Sequence, residues 1–257
     1  MSHAAVSVTF DNLGEVSDLQ RGWWPEDEPV GRHFSVTEAL PRLLDALDEA
    51  RLRATFFVEG LNTELYPEVL TGLDAAGHEV ACHGWRHERW SGLDAAEERA
   101  LLSRCTERWS KLGLRATGFR PPGGELTPAT AGLLAELGFG YCSPAEEAAG
   151  AAGRLPVLPF RWPLLDAFHY LPHFGPMREQ VLGSPEPLPP ERLRVAVMSA
   201  IDERMAGGGF LALLFHPFLA DTDERLQVIR DVLVRVGALA DAGALRSVPC
   251  RDVAASL

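Results

Sequence analysis

Apolar residues in this chain fall into short runs and helical stripes that alternate along its length. Val6-Ser7-Val8-Thr9-Phe10 is β-branched and aromatic and stops at Asp11-Asn12, so it reads as a strand running out into a polar loop. Leu40, Leu43, Leu44 and Leu47 lie at helical spacing within Ser35 to Leu52. Ala54 to Val58 is a second strand, Glu64 to Ala76 a helix, Glu79 to His83 a third strand, and about Asp94 to Leu112 a long helix. The alternation continues through a strand at Gly118 to Arg120, a helix from near Thr127 closed by Gly138, and a short strand at Tyr141-Cys142. Pro156 to Trp162 predicts a strand, Pro190 to Ala206 a helix, Phe210 to Phe215 a fully apolar strand, Asp223 to Ala240 a helix, and Leu245 to Val248 a closing strand.

Repeated strand-helix units imply a parallel sheet, because each crossover returns the chain to the same end. With 257 residues and 46% apolar composition the chain can bury one large core, as a closed or nearly closed barrel or as an open doubly wound sheet. A single domain over residues 1–257 is the simpler expectation, since no low-complexity tract or solenoid period interrupts the pattern. In either architecture reactive groups belong at the carboxyl ends of the strands. Asp11-Asn12, His83-Gly84-Trp85-Arg86-His87, Arg120-Pro121-Pro122-Gly123 and His216-Pro217 all fall at such ends. A His-x-x-x-His pair can grip one metal ion, and its spacing gains weight from the other three strand exits.

Two connections exceed simple turns, Leu13 to Phe34 and Pro163 to Pro189, and both leave strand ends. The first carries Trp23, Trp24 and His33; the second carries Asp166, His169, Tyr170, His173 and Phe174. These aromatics either pin the loops down or form a lid offering stacking surfaces to a ring-shaped substrate.

A formal charge of −12 opposes binding to nucleic acid and to anionic membrane surfaces. The opening residues lead straight into a strand without a basic or apolar leader pattern, and no run is long enough to span a bilayer, so a cytoplasmic location is expected. Cys82, Cys105, Cys142 and Cys250 form no Cys-x-x-Cys pair and read as reduced, mostly buried thiols.

The ordered set Thr9-Phe10-Asp11-Asn12, Thr55-Phe56-Phe57-Val58, His83 to His87, Arg120 to Gly123 and Leu213-Leu214-Phe215-His216 resembles the polysaccharide deacetylase (NodB-homology, carbohydrate esterase family 4) superfamily of metal-dependent hydrolases. The resemblance spans nearly the whole chain and implies a distorted, TIM-like (β/α) barrel of seven strands. It assigns Asp11 as general base, Asn12, His83 and His87 as the metal-facing residues, and His216 as the acid that protonates the leaving amine. It also assigns Arg120 to hold the base carboxylate and keep it ionised, and Asp166 to orient His216 and raise its pKa. Trp85, Pro121 and Trp162, beside these motifs, join Trp23, Trp24 and Tyr170 as candidate substrate contacts.

The departure is Asn12, where most members carry aspartate. An amide oxygen can ligate but brings no charge, so the expected zinc or other divalent ion would be held less tightly, and Glu15 or His33 are alternative ligands. The flanks from His83 to Glu88 are similar to those of allantoinase-like relatives, thought to open cyclic amides without metal. The expected activity is hydrolysis of a non-peptide carbon–nitrogen bond, foremost the N-deacetylation of an amino sugar or small soluble intermediate, on a small-molecule or oligosaccharide substrate. Metal-independent cyclic-amide hydrolysis and a non-catalytic carbohydrate-binding homologue are the alternatives.

Overall fold

A computed structural model describes residues 4–146 and 149–257; the first three residues, part of the opening segment, lie outside it. Among the described residues nine strands form one sheet: β1 (Ala4–Asp11), β2 (Thr55–Val58), β3 (Glu79–Cys82), β4 (Gly118–Phe119), β5 (Tyr141–Cys142), β6 (Gly150–Ala152), β7 (Leu155–Val157), β8 (Gly209–Phe215) and β9 (Arg246–Ser247). The order is β6-β7-β5-β4-β3-β2-β1-β8, with β9 paired to β1. Every neighbouring pair is parallel except β6 and β7. A parallel bridge between Leu165 and Leu214 joins the chain beyond β7 to β8, curling the sheet toward closure.

This is the expected α/β architecture, a distorted barrel ringed by helices, with a small difference in strand count. Seven parallel strands, β1 to β5, β7 and β8, make the body; β6 is an antiparallel flap on β7, and β9 pairs only at Ala5 and Val6. Gly150–Ala152 escaped sequence reading because its glycine and alanines carry no β-branched or aromatic signal.

Strand alternation decides which residues reach the inside. On β1, Val6, Val8 and Phe10 join the large core beneath the helices, while Ser7, Thr9 and Asp11 face the other way. The same parity runs round the sheet: Phe57, Ala81 and Tyr141 form a separate inner cluster with Cys250 and Val253 of the short helix Cys250–Ala254. Inner-facing positions extended by one step beyond the strands give His83, Arg120, Ser143 and His216. At the opposite end Glu79 accepts from Thr55, Thr117 and Tyr141 hydroxyls and the Arg251 backbone N–H, a buried carboxylate tying four elements together.

Several helices match the sequence pattern closely. Ala95–Lys111 begins at Asp94, which closes a capping box with Glu97; Pro190–Gly207 covers β8 and β1 from outside, and Asp223–Asp241 packs on that helix and on β9. The predicted helix over Glu64 to Ala76 is broken into Asn62–Leu65 and Pro67–Ala75, since Pro67 cannot continue the first hydrogen-bond ladder and instead starts the second. The long connection after Trp162 is not open loop. It folds into short helices at Asp166–Tyr170 and Gly175–Leu182 with single turns at Trp162–Leu164 and Pro172–Phe174. Arg178, fully buried, clips them together by donating to the carbonyls of Phe168, Leu171 and Pro185. All four cysteines are buried and free, and none of the described helices is long and apolar enough to cross a membrane.

The step from β4 to Arg120 depends on Gly118, where an added Cβ would sit 2.1 Å from the Tyr141 ring. That ring is buried and bonded to Glu79, so it cannot swing aside freely. Gly118→Ala should lower unfolding free energy by about 1–3 kcal/mol in urea denaturation; an unchanged midpoint would show that the inner cluster has slack.

Candidate active site

Four strand exits converge on one cavity of about 440 Å³ that Asp11, Asn12, His83, His87 and His216 line together. Asp11 ends β1, His83 and Arg120 follow β3 and β4, and His216 follows β8. Because β1 and β8 are neighbours in register, Phe10 opposite Phe215, Asp11 and His216 emerge side by side.

Arg120 does not line the cavity; it lies beneath it, fully buried. Its Nη1 donates to Asp11 Oδ1 at 2.6 Å and to Thr9 Oγ1 at 3.0 Å, and its Nε and Nη2 donate to Ser143 Oγ at 3.2 and 2.9 Å. The guanidinium carbon stands 3.9 Å from the Phe57 ring centre, a cation–π contact that replaces lost hydration. The resemblance implied that this cation keeps Asp11 ionised. The balance is different: burial pushes the Asp11 carboxyl above its ordinary value, and Arg120, foremost among the opposing groups, only restrains the rise. A carboxylate so placed is oriented for proton acceptance and is more basic than a free one.

His216 is held from the other direction. Its Nδ1 lies 2.6 Å from Asp166 Oδ1, and its backbone N–H donates to Asp166 Oδ2 at 2.7 Å, so one carboxylate fixes both ring and main chain. Asp166 also accepts from the Ala167 N–H at 2.7 Å. Burial works against the imidazolium, but the Asp166 charge and hydrogen bond outweigh it and raise the His216 pKa. The role expected of Asp166 therefore has its geometry, although Asp166 itself is buried behind His216.

His83 Nδ1 donates to the Arg120 carbonyl at 2.9 Å, leaving Nε2 facing the cavity, 3.9 Å from Asp11 Oδ2. Burial depresses His83 to about 3 and His87 well below its usual value, so both imidazoles are neutral, as ligation requires. Their ring centres are 5.0 Å apart. Asn12 and His87 both hold left-handed backbone, with φ of 59° and 68°, a conformation uncommon outside glycine and enriched at functional sites. Asn12 Oδ1 is buried with no hydrogen-bond partner. Among the described residues no three His, Cys, Asp or Glu side chains gather to hold a metal. An orphaned buried acceptor next to two neutral imidazoles fits a divalent cation, with less charge than a carboxylate would bring.

The alternative ligands are occupied elsewhere. Glu15 accepts from Tyr66 Oη at 2.6 Å and from the Gly31 N–H at 2.5 Å, which pins the first long connection. His33 bonds Ser35 Oγ at 2.7 Å and packs between Trp24 and Phe34. Glu88 accepts from the N–H groups of Trp85 and Arg86, bracing the histidine loop at Gly84, which has φ +73°.

Of the six expected substrate contacts, Trp23, Pro121 and Trp162 line the cavity. Trp24, Trp85 and Tyr170 do not. Trp24 Nε1 donates to the Glu28 carbonyl and pins its loop. Trp85 is buried against Gly60 and under Arg104, beyond the turn at Gly84 where strand alternation no longer applies. Tyr170 is buried with Arg225 4.5 Å over its ring. Sequence reasoning missed Arg21, Phe160, Met177 and Phe218, which do line the cavity. It also missed Glu59, one step beyond β2, whose buried carboxyl is pushed well above its usual value by burial first and by nearby Asp11 among lesser causes. Its place directly after the apolar run Thr55-Phe56-Phe57-Val58 was the available signal.

The polysaccharide deacetylase family model matches residues 2–142. A peptidoglycan deacetylase of Helicobacter pylori is 34% identical over 132 residues, 48% of this chain and 45% of that protein. Chitin deacetylase 1 of Saccharomyces cerevisiae is 33% identical over 109 residues, 40% of this chain and 33% of that protein. The chain thus spans less than half the length of these curated relatives. The crystal structure of a Mycobacterium smegmatis protein assigned to the polysaccharide deacetylases superposes with a TM-score of 0.81 at 28% identity, covering 99% of this chain and 90% of that one. An allantoinase structure gives a TM-score of 0.74 at 18% identity over 98% of this chain and 89% of that one, a likeness of fold alone. A family model covering more than half of the chain, on a barrel whose strand exits carry Asp11, His83, Arg120 and His216, makes this chain a member of the polysaccharide deacetylase family.

Proposed function

We propose that this chain removes an acyl group, acetyl foremost, from an N-acylated amino sugar or another small N-acylated compound by hydrolysing its carbon–nitrogen bond. The observation that carries this reading is the pairing of two proton carriers on adjacent strands. Asp11 is backed by Arg120 and His216 by Asp166, and both open onto one cavity. Water entering there meets Asp11, which takes its proton as the oxygen attacks the acyl carbon. His216, kept protonated by Asp166, gives its proton to the leaving nitrogen so that a neutral amine departs. His83, His87 and Asn12 would hold a divalent cation, with zinc the first expectation; when bound it would polarise the acyl carbonyl and acidify water.

Retention of Asp11, Arg120, His216 and Asp166 in working geometry favours turnover over mere binding. The Glu88 flank shared with ring-opening relatives is occupied in bracing the histidine loop, so it gives no separate support to cyclic-amide hydrolysis.

Acetate release from N-acetylated substrates, measured with purified protein, should fall by about 10²–10⁴ in Asp11→Asn while the fold persists. Chelation should abolish release and added zinc restore it, and Asn12→Asp should bind zinc at least about tenfold more tightly by calorimetry, since a carboxylate adds charge at that position. Full activity after exhaustive chelation would remove the metal from the scheme.

The alkaline limb of kcat/KM reports loss of the His216 proton. A pKa raised by Asp166 keeps the acid form up to higher pH, and activity drops as pH rises through it. Asp166→Asn should therefore move that limb to lower pH, leaving the acidic limb in place; a limb that stays put would assign the proton to another group.

A further inference from the structure

The cavity has a reactive floor and walls of another character. One side comes from the segment after β7, where Phe160, Trp162 and Phe174 stack edge to face or tilted at 5.2 Å spacings and Leu171 and Met177 complete the surface. Arg178 holds this side in shape from behind. The helix Val16–Arg21, with Trp23 just beyond it, also contributes to the lining through Ser17, Asp18 and Arg21. The turn after the helix uses Gly22 at φ 69°, and the Trp23 N–H donates to the Asp18 carbonyl at 2.9 Å, which presents Arg21 and Trp23 together.

Arg21 is exposed at the mouth, its guanidinium carbon 4.8 Å from the Trp23 ring centre. It makes no ion pair with a described side chain, not even with Asp18 one turn earlier on the same helix. A second opening of about 470 Å³ shares Arg21 and His87 with the first, so the guanidinium stands where two openings meet. In a chain of net charge −12 it places a positive charge at a cavity mouth, where an anion can reach it.

The wall chemistry bears on substrate class. Each hydroxyl of a sugar ring that enters must find a partner or lose its hydration uncompensated. Among the described residues, and away from the reacting groups, the polar side chains lining the first cavity are Ser17, Asp18, Arg21 and His173, with the indole N–H groups of Trp23 and Trp162. An apolar ring would instead gain from burial against Trp162 and Phe174.

We propose that this pocket selects a small N-acyl compound with an aromatic or other apolar body and a carboxylate, the body packed on Trp162 and Phe174 and the carboxylate held by Arg21. The inference deepens the N-deacylase reading and rests on it for the reaction, though not for binding. Trp23 covers the bound guanidinium face and leaves its N–H edge free for the two carboxylate oxygens, the arrangement in which arginine binds such groups best.

The test uses three ligands in the Asp11→Asn protein, where turnover is suppressed: N-acetylphenylalanine, its neutral C-terminal amide, and N-acetylglucosamine. Calorimetry, with tryptophan fluorescence as a second readout from Trp23 and Trp162, should show the carboxylate ligand binding about tenfold or more tighter than its amide twin, and the sugar weakest. Adding Arg21→Gln at this exposed position should bring the carboxylate-to-amide ratio close to one without weakening the amide, and Arg21→Lys should restore part of it. The proposal is overturned if the sugar binds more tightly than either phenylalanine ligand, if neither of those binds, or if the ratio survives Arg21→Gln. Binding as expected, with no acetate released from any of the three by the unsubstituted enzyme, would count against the deacylase reading alone.

Discussion

A single buried guanidinium sets the geometry of this protein. Arg120 is removed from water and would be intolerable there alone, so the fold surrounds it with Asp11 and Thr9 from β1, Ser143 beyond β5 and the ring of Phe57 from β2. Its own carbonyl fixes His83. The Asp11 carboxylate and the His83 imidazole are thus hung on the same residue, one by its side chain and one by its main chain. Strands of only two residues, β4 and β5, suffice at this place because the ionic and hydrogen-bonded contacts supply what a short ladder cannot.

The same constraint explains why so much of the site could be read from sequence. Asp11, His83, Arg120 and His216 are each the first strongly polar side chain after an apolar run, and period-two alternation then sends them all to the inner face. Alternation also explains the failure at Trp85, which sits two residues from His83 but beyond the strand, where Gly84 turns the chain and the period no longer applies. Glu15 looked available as a ligand because its partner, Tyr66, lies far along the chain; only tertiary packing brings them together. The role of Asp166 came from the resemblance alone, since its bond to His216, fifty residues further along the chain, is a tertiary contact that no local pattern announces.

The segment from 163 to 189 was the least legible part. Its helical turns are too short for an apolar stripe to show, and prolines at 163, 172 and 176 interrupt every window. What organises it is Arg178, whose donors reach the carbonyls of Phe168, Leu171 and Pro185 and so tie the broken turns together. A buried arginine serving main-chain oxygens leaves no pattern in the sequence, because its partners are peptide groups common to all residues. The net result is a wall held in place before any ligand arrives, so little ordering is left for binding to accomplish.

That wall has a further property. Asp166 belongs to the same stretch of chain as Trp162, Phe174 and Met177, so the residue that governs the proton affinity of His216 and the residues that shape the cavity are carried on one continuous strip. Ligand preference and working pH are therefore mechanically inherited together: a relative that remodels this strip to admit a different molecule also re-aims the carboxylate behind its acid. Divergence of substrate range within such barrels should leave its trace in acidity as well as in shape.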